Sequence, residues 1–150
     1  RRMAEWTARR SANAERLAET CRTFRLIRVP DFQCAQACGA DCARARGCVH
    51  AWYKFYAYVR PDRLAEGWNR DRIIEEISRR GVPCFQGSCS EVYLEKAFDG
   101  TGWRPASPLT VARELGETSL MFMVYPTLTD AEMAKICEVV ASVLRDAACW

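Results

Sequence analysis

The chain runs to 150 residues, 49% hydrophobic and 27% charged, which fits one globular domain with its own core and excludes a disordered or low-complexity tail. Its net charge is only +3, and the arginines alternate with Glu and Asp on helical segments, so nucleic acid is not an expected partner. No apolar run approaches the ~20 residues a membrane-spanning helix needs, and the arginine-rich ends do not fit a signal peptide, so no membrane is expected either.

In chain order, Met3, Trp6, Ala14, Leu17 and Cys21 fall at helical spacing and predict an amphipathic helix over residues 3–21, its apolar side interrupted only by Arg10. Phe24 to Val29, closed by Pro30, reads as a short extended exit. Residues 31–49 hold Cys, Ala and Gly with no period and are expected to form a loop. Ala51 to Val59 is rich in aromatic β-formers, with Lys54 the single charge, and predicts a strand that Pro61 stops. Asn69 is a candidate cap for a helix carrying Ile73, Ile74 and Ile77, which Gly81 would end. Val82 to Phe85 predicts a second strand, and Glu91 to Phe98 a short helix from the spacing of Val92, Leu94 and Phe98. Asp99-Gly100-Thr101-Gly102 is a turn. Ser107 and Pro108 form a cap and first-turn pair for a helix reaching about Leu115. Ser119 to Val124 is the third predicted strand. Thr129-Asp130-Ala131-Glu132 is a capping box, followed by a stripe of Met133, Ile136, Cys137, Val140, Val143 and Leu144. The fold class expected is α+β: a small antiparallel or mixed three-stranded sheet covered by helices.

Three stretches couple an apolar strand to a polar rim: His50 to Tyr56; Gly81-Val82-Pro83 running into Gly87-Ser88-Cys89-Ser90-Glu91-Val92-Tyr93; and Leu115 to Leu120 continuing through Tyr125-Pro126-Thr127-Leu128-Thr129. With these stretches, the first helix bearing Arg9, Arg10 and Asn13, and the Arg70-Asp71 helix, the chain resembles the C-terminal part of the DegT-type nucleotide-sugar aminotransferases. The order and spacing match over nearly all of it.

That resemblance implies the C-terminal small domain of a fold-type I enzyme using pyridoxal 5'-phosphate. Such an enzyme moves an amino group from an amino acid, glutamate being the expected donor, to a keto-sugar nucleotide in amino-sugar or surface-polysaccharide biosynthesis. In such enzymes the cofactor supplies the electron sink and the protein supplies position and protonation control. The implied layout is one small domain over 1–150, with 1–30 a linking helix and exit, 31–49 a Cys-rich loop and 50–150 the α+β core. The large cofactor-binding domain would be a missing partner, and a homodimer the assembly. The family's Schiff-base lysine follows a Ser-His-Lys type motif that does not occur here. Lys54, Lys96 and Lys135 are the only lysines, so no residue of the chain is expected to be catalytic or to hold the cofactor, and the chain alone is expected to be inactive.

The candidate substrate-binding residues are His50, Tyr53, Gln86, Ser88, Ser90 and Glu91. His50, the only histidine, stands at a strand entrance, where it either touches substrate or serves as a hydrogen-bonded structural imidazole. Tyr53 and Tyr56 share that duality between core and contact. Gln86, Ser88 and Ser90 offer amide and hydroxyl groups suited to a sugar, and either serine could cap a helix beginning near Glu91, whose N-terminus would favour an anion. The Gly-Ser-Cys-Ser-Glu sequence and Tyr125, which stands where a His commonly precedes the Pro, depart from the family pattern.

Nine cysteines are many, but the odd count and the core-sized apolar fraction favour reduced thiols and a cytoplasmic location over a disulfide framework. Cys34, Cys38, Cys42 and Cys48 fall within 15 residues, close to His50, and form an alternative metal site, although their gaps lack the paired two-residue spacing of common zinc sites. No metal is expected. Two other readings stand beside the enzyme domain: a stand-alone, non-catalytic binding or interaction module, and a metal-binding protein centred on Cys34–Cys48.

Overall fold

The computed structural model describes residues 2–30 and 50–149. Among them are α1 (Met3–Arg22), β1 (Ile27–Arg28), β2 (Phe55–Val59), α2 (Arg70–Arg79), β3 (Cys84–Phe85), α3 (Thr110–Thr118), β4 (Ser119–Phe122) and α4 (Asp130–Ala147). The architecture is α+β, as expected. The sheet has four strands instead of three, in the order β1-β2-β4-β3, with every neighbouring pair antiparallel. The additional strand is β1. Only two residues long, it is defined by Ile27 facing Val59 and Arg28 facing Tyr58, a long-range pairing that its own sequence does not signal.

Register sorts the side chains into two faces. Ile27, Val59, Ala57, Leu120, Phe55, Phe122 and Cys84 lie on the inner face, and all are buried. Arg28, Tyr58, Ser119, Tyr56, Met121 and Phe85 lie on the outer face, where exposure is mixed. Helices α1, α2 and α4 complete the core: Ala14, Leu17, Ala18 and Cys21 from α1, Ile73 and Ile77 from α2, and Val140, Val143, Leu144 and Ala147 from α4. Each large side chain buried there contributes about 1.5–3 kcal/mol of transfer free energy. On α1, Leu17 is buried while Met3 and Trp6 are exposed, so the expected apolar stripe is covered only from its second half onward.

Local chemistry sets several boundaries. The Asn69 side chain accepts from the Arg72 N–H at 2.8 Å, opening α2. Gly81, at φ +79°, closes it: its N–H donates to the Ser78 carbonyl and that of Val82 to the Ile77 carbonyl, a Schellman end. The capping box at Thr129 forms with both of its hydrogen bonds.

Other boundaries move from their predicted places. The strand expected from Ala51 begins at Phe55, because Trp52 turns the chain at φ 46°. The second predicted strand shortens to Cys84–Phe85 and the third ends at Phe122. Residues 91–98 form no α-helix but two 3-10 turns, Val92–Leu94 and Lys96–Phe98. Glu95, extended at ψ 145°, separates the two turns, and Arg104 braces them: its guanidinium donates to the carbonyls of Tyr93, Leu94 and Glu95 and pairs with Asp99. Helix α3 starts at Thr110, two residues beyond the position set by the Ser107-Pro108 pair, with Leu109 at its N-cap and no side-chain cap. The Leu109 N–H donates instead to the Tyr93 hydroxyl at 3.1 Å.

Candidate functional site

The outer face of the sheet carries the candidate residues. At its entrance the Trp52 N–H donates to His50 Nδ1 at 3.0 Å, which puts the proton of a neutral ring on Nε2. An aromatic ladder anchors this junction, with ring centroids 4.3 Å apart for His50 and Trp52, 6.0 Å for Trp52 and Phe55, and 6.4 Å for Phe55 and Phe122. Tyr53 projects outward, 71% exposed, with Lys54 Nζ 5.5 Å from its ring centroid. His50, Tyr53, Lys54, Tyr56, Tyr58 and Ser88 line a groove of about 460 Å³.

The segment 86–91 borders a second groove of about 480 Å³, which also takes in Lys96, Arg113 and Glu117. Gln86, Ser88 and Ser90 are each tied to a distant segment, and Glu91 to Tyr93 beside it. Gln86 Nε2 donates to Asp71 Oδ1 at 3.1 Å, and Arg70 Nε holds the same oxygen at 2.7 Å. Through its other nitrogen Arg70, whose side chain is only 13% exposed, donates to the carbonyls of Gly116 and Ser119. The Gly87 N–H donates to Ser119 Oγ at 3.0 Å, an approach so close that a Cβ on Gly87 would lie 2.5 Å from that oxygen. Ser90 abuts α3 at Gly116, where a Cβ would come within 2.1 Å of Ser90 Oγ. Ser88 Oγ and the Tyr56 hydroxyl are hydrogen-bonded at 3.0 Å. Glu91 accepts from the Tyr93 hydroxyl at 2.7 Å, and this bond raises the Tyr93 pKa. Neither serine caps an α-helix at Glu91, because none begins there; the expected helix-terminal anion site is absent from this segment.

The structure therefore gathers all six candidates on one side of the sheet, in two grooves that share Ser88. It also adds residues that sequence reasoning passed over. Asp71 and Arg70 position Gln86, and Ser119 positions Gly87. The sequence signal for them was slight: Ser119 sits at an outward register position, and Arg70-Asp71 opens the helix next to the second strand.

The flanking thiols are not activated. Burial, reinforced by Cys21, pushes the Cys84 thiol up to about 12, and Cys89 donates to Glu95 at 3.4 Å, a bond that raises its pKa. The Cys34, Cys38, Cys42 and Cys48 alternative lies outside the described residues. Among the described residues no group of three or more His, Cys, Asp or Glu side chains converges to hold a metal ion, and no helix is long and apolar enough to cross a membrane.

Pyridoxal phosphate does not fit the described residues. Its binding needs a lysine, an acid for the ring nitrogen and donors for the phosphate in one place. Lys54 lies in the tyrosine-lined groove, whose described lining holds no carboxylate. Lys96 shares its groove with Glu91, Glu95 and Glu117, which repel a phosphate. Lys135 borders a third, largely apolar groove with Phe85, Phe122 and Ile136, whose one described carboxylate, Glu132, is already bonded to Thr129 in the capping box.

No family model matches the chain, and a search of curated proteins gives no match. Solved structures do match. An aminotransferase from Psychrobacter cryohalolentis is 45% identical, with a TM-score of 0.84 over 97% of this chain and 36% of that one. A DegT DnrJ EryC1 StrS aminotransferase from Brucella abortus is 18% identical, with a TM-score of 0.67 over 91% of this chain and 31% of that one. A GDP-4-keto-6-deoxymannose-3-dehydratase, solved with a trapped PLP-glutamate geminal diamine, is 15% identical, with a TM-score of 0.66 over 93% and 32%. The fold is thus one found in aminotransferases, and the resemblance to the DegT-type sugar aminotransferases holds over nearly the whole chain. The chain spans about a third of the length of the solved structures it matches.

Proposed function

We propose that this chain is the C-terminal small domain of a DegT-type, pyridoxal-phosphate-dependent aminotransferase that transfers an amino group from an amino acid, glutamate the expected donor, to a keto-sugar nucleotide. The observation that carries the reading is the 45% identity to a solved aminotransferase along 97% of the chain. In this reading residues 1–30 link to the large domain, 50–150 form the core, and the large domain brings the cofactor and its lysine. The misfit of Lys54, Lys96 and Lys135 to the cofactor supports that division of labour.

The small domain's part is to bind and orient the sugar nucleotide through His50, Tyr53, Gln86, Ser88, Ser90 and Glu91. Exposed Met3 and Trp6 at the start of α1 support a docking face for the large domain. The assembly is a homodimer, and the free thiols of Cys21, Cys84, Cys89 and Cys137 support a reducing, cytoplasmic setting.

The test uses the whole polypeptide that carries this sequence, supplied with pyridoxal phosphate, glutamate and a panel of nucleotide-linked keto-hexoses. Formation of 2-oxoglutarate with at least one sugar is expected; none with any sugar, from a protein that takes up the cofactor, would sink the assignment. The 150-residue chain alone should give neither turnover nor a borohydride-stable lysine adduct.

A further inference from the structure

The two grooves on the outer face differ in charge. The tyrosine-lined one offers the rings of Tyr53, Tyr56 and Tyr58, the ammonium of Lys54 and, among its described lining residues, no carboxylate. The other is lined by Glu91, Glu95 and Glu117, set against Lys96 and an Arg113 already paired with Glu117 at 2.8 Å. They meet at Ser88, which is hydrogen-bonded to Tyr56 at 3.0 Å, so a ligand longer than either groove would run from one into the other across that pair.

We propose that the tyrosine-lined groove seats the nucleoside diphosphate end of the ligand, its planar base against the tyrosines and its phosphates toward Lys54, so that the sugar extends past Ser88 toward Gln86 and Glu91. The proposal rests on the sugar-nucleotide reading above and fixes the direction in which the ligand lies. Aromatic rings stack on the π-face of any base, which makes Tyr53 and Tyr56 a tolerant platform. A diphosphate is attracted to a groove whose charge, among the described residues, is a lysine and is disfavoured by one where three carboxylates outnumber Lys96 and Arg113, so the reverse orientation sets like charges together. The carboxylates suit the other end, where sugar hydroxyls donate hydrogen bonds.

The probes are uridine diphosphate, inorganic pyrophosphate and UDP-glucose, titrated into the isotope-labelled chain and read by residue-resolved NMR. Uridine diphosphate is expected to shift Tyr53, Lys54 and Tyr56, UDP-glucose to add shifts at Gln86 and Glu91, and pyrophosphate to bind at least tenfold more weakly than uridine diphosphate. Lys54→Glu should weaken uridine diphosphate about tenfold and Tyr53→Ala about fivefold; circular dichroism confirms that each variant is folded.

Shifts from uridine diphosphate confined to residues 86–91 would overturn the orientation, as would pyrophosphate binding equally well or no shifts at millimolar ligand. Pyridoxal phosphate is also a ring with a phosphate, so a borohydride-trapped Lys54 adduct that excess uridine diphosphate does not prevent would hand the groove to the cofactor and overturn the proposal. Amino transfer by the whole polypeptide, with uridine diphosphate avoiding the tyrosines, would defeat this inference and leave the proposed function standing; uridine diphosphate among the tyrosines without amino transfer would do the reverse.

Discussion

The two faces of the same four strands are built to opposite specifications. On the inner face, Phe55, Ala57, Val59, Leu120 and Phe122 are buried against three helices and carry no side-chain polar group. On the outer face, Tyr56, Tyr58 and Ser119 carry hydroxyls; those of Tyr56 and Ser119 reach to the 86–90 segment. The difference teaches where each kind of information resides. Burial makes the inner face interchangeable with any well-packed hydrophobic surface of equal volume, whereas the outer face depends on which atom stands where.

The contrast can be broken most forcefully from the inside. Phe122→Ala should cost about 3–5 kcal/mol in urea unfolding, since Phe122 is 1% exposed and pairs with both Phe55 and Cys84. A loss below about 1 kcal/mol would mean that the core is centred elsewhere.

Next comes alkali. Burial, with Cys137 close by, pushes the Cys21 thiol up to about 12, and Cys84 is likewise raised to about 12. An unfolded thiol ionises near pH 8.5–9, so above that the unfolded chain binds fewer protons than the folded one. Stability is therefore insensitive to these groups below about pH 8.5, falls as pH rises through their folded values near 12, and the fall should flatten in a Cys21→Ala, Cys84→Ala double variant.

On the outer face, Gly87→Ala should cost about 1–3 kcal/mol, because the new methyl meets Ser119 Oγ at 2.5 Å and Ser119 itself is buried. Ser119→Ala in the same chain should recover part of that loss, which a purely entropic glycine effect would not allow. Smallest is Tyr56→Phe, which removes one hydrogen bond to Ser88 and should cost about 0.5–1 kcal/mol. Its clearer mark would be faster amide exchange across residues 86–90 with the inner-face amides unchanged; equal acceleration on both faces would erase the distinction.

What the sequence discloses follows the range of the interaction. The Asn69 cap, the Gly81 terminus and the Thr129 capping box are each settled within about five residues, and all three fall at their predicted positions. Features decided at a distance do not. Strand β1 exists because Ile27 meets Val59, the two turns of 91–98 are braced by Arg104, and α3 begins late, where the Tyr93 hydroxyl takes the Leu109 N–H. The candidate site is divided the same way. The polar run Gln86 to Glu91 is visible in the sequence, but its dependence on Asp71, Tyr56, Ser119 and Gly116 comes from elements 15 or more residues away.

Trp52 has a consequence that reaches past its own φ of 46°. In an unbroken strand, odd-numbered residues would keep to the side of Phe55, Ala57 and Val59, which would bury Tyr53 and turn the even-numbered Trp52 outward. The left-handed turn resets the count: Trp52 goes in and Tyr53 comes out. One torsion, at a cost of about 1–2 kcal/mol, thus exchanges a tryptophan for a tyrosine on the working surface. The identity of the residue exposed there is written in the backbone as much as in the side chains.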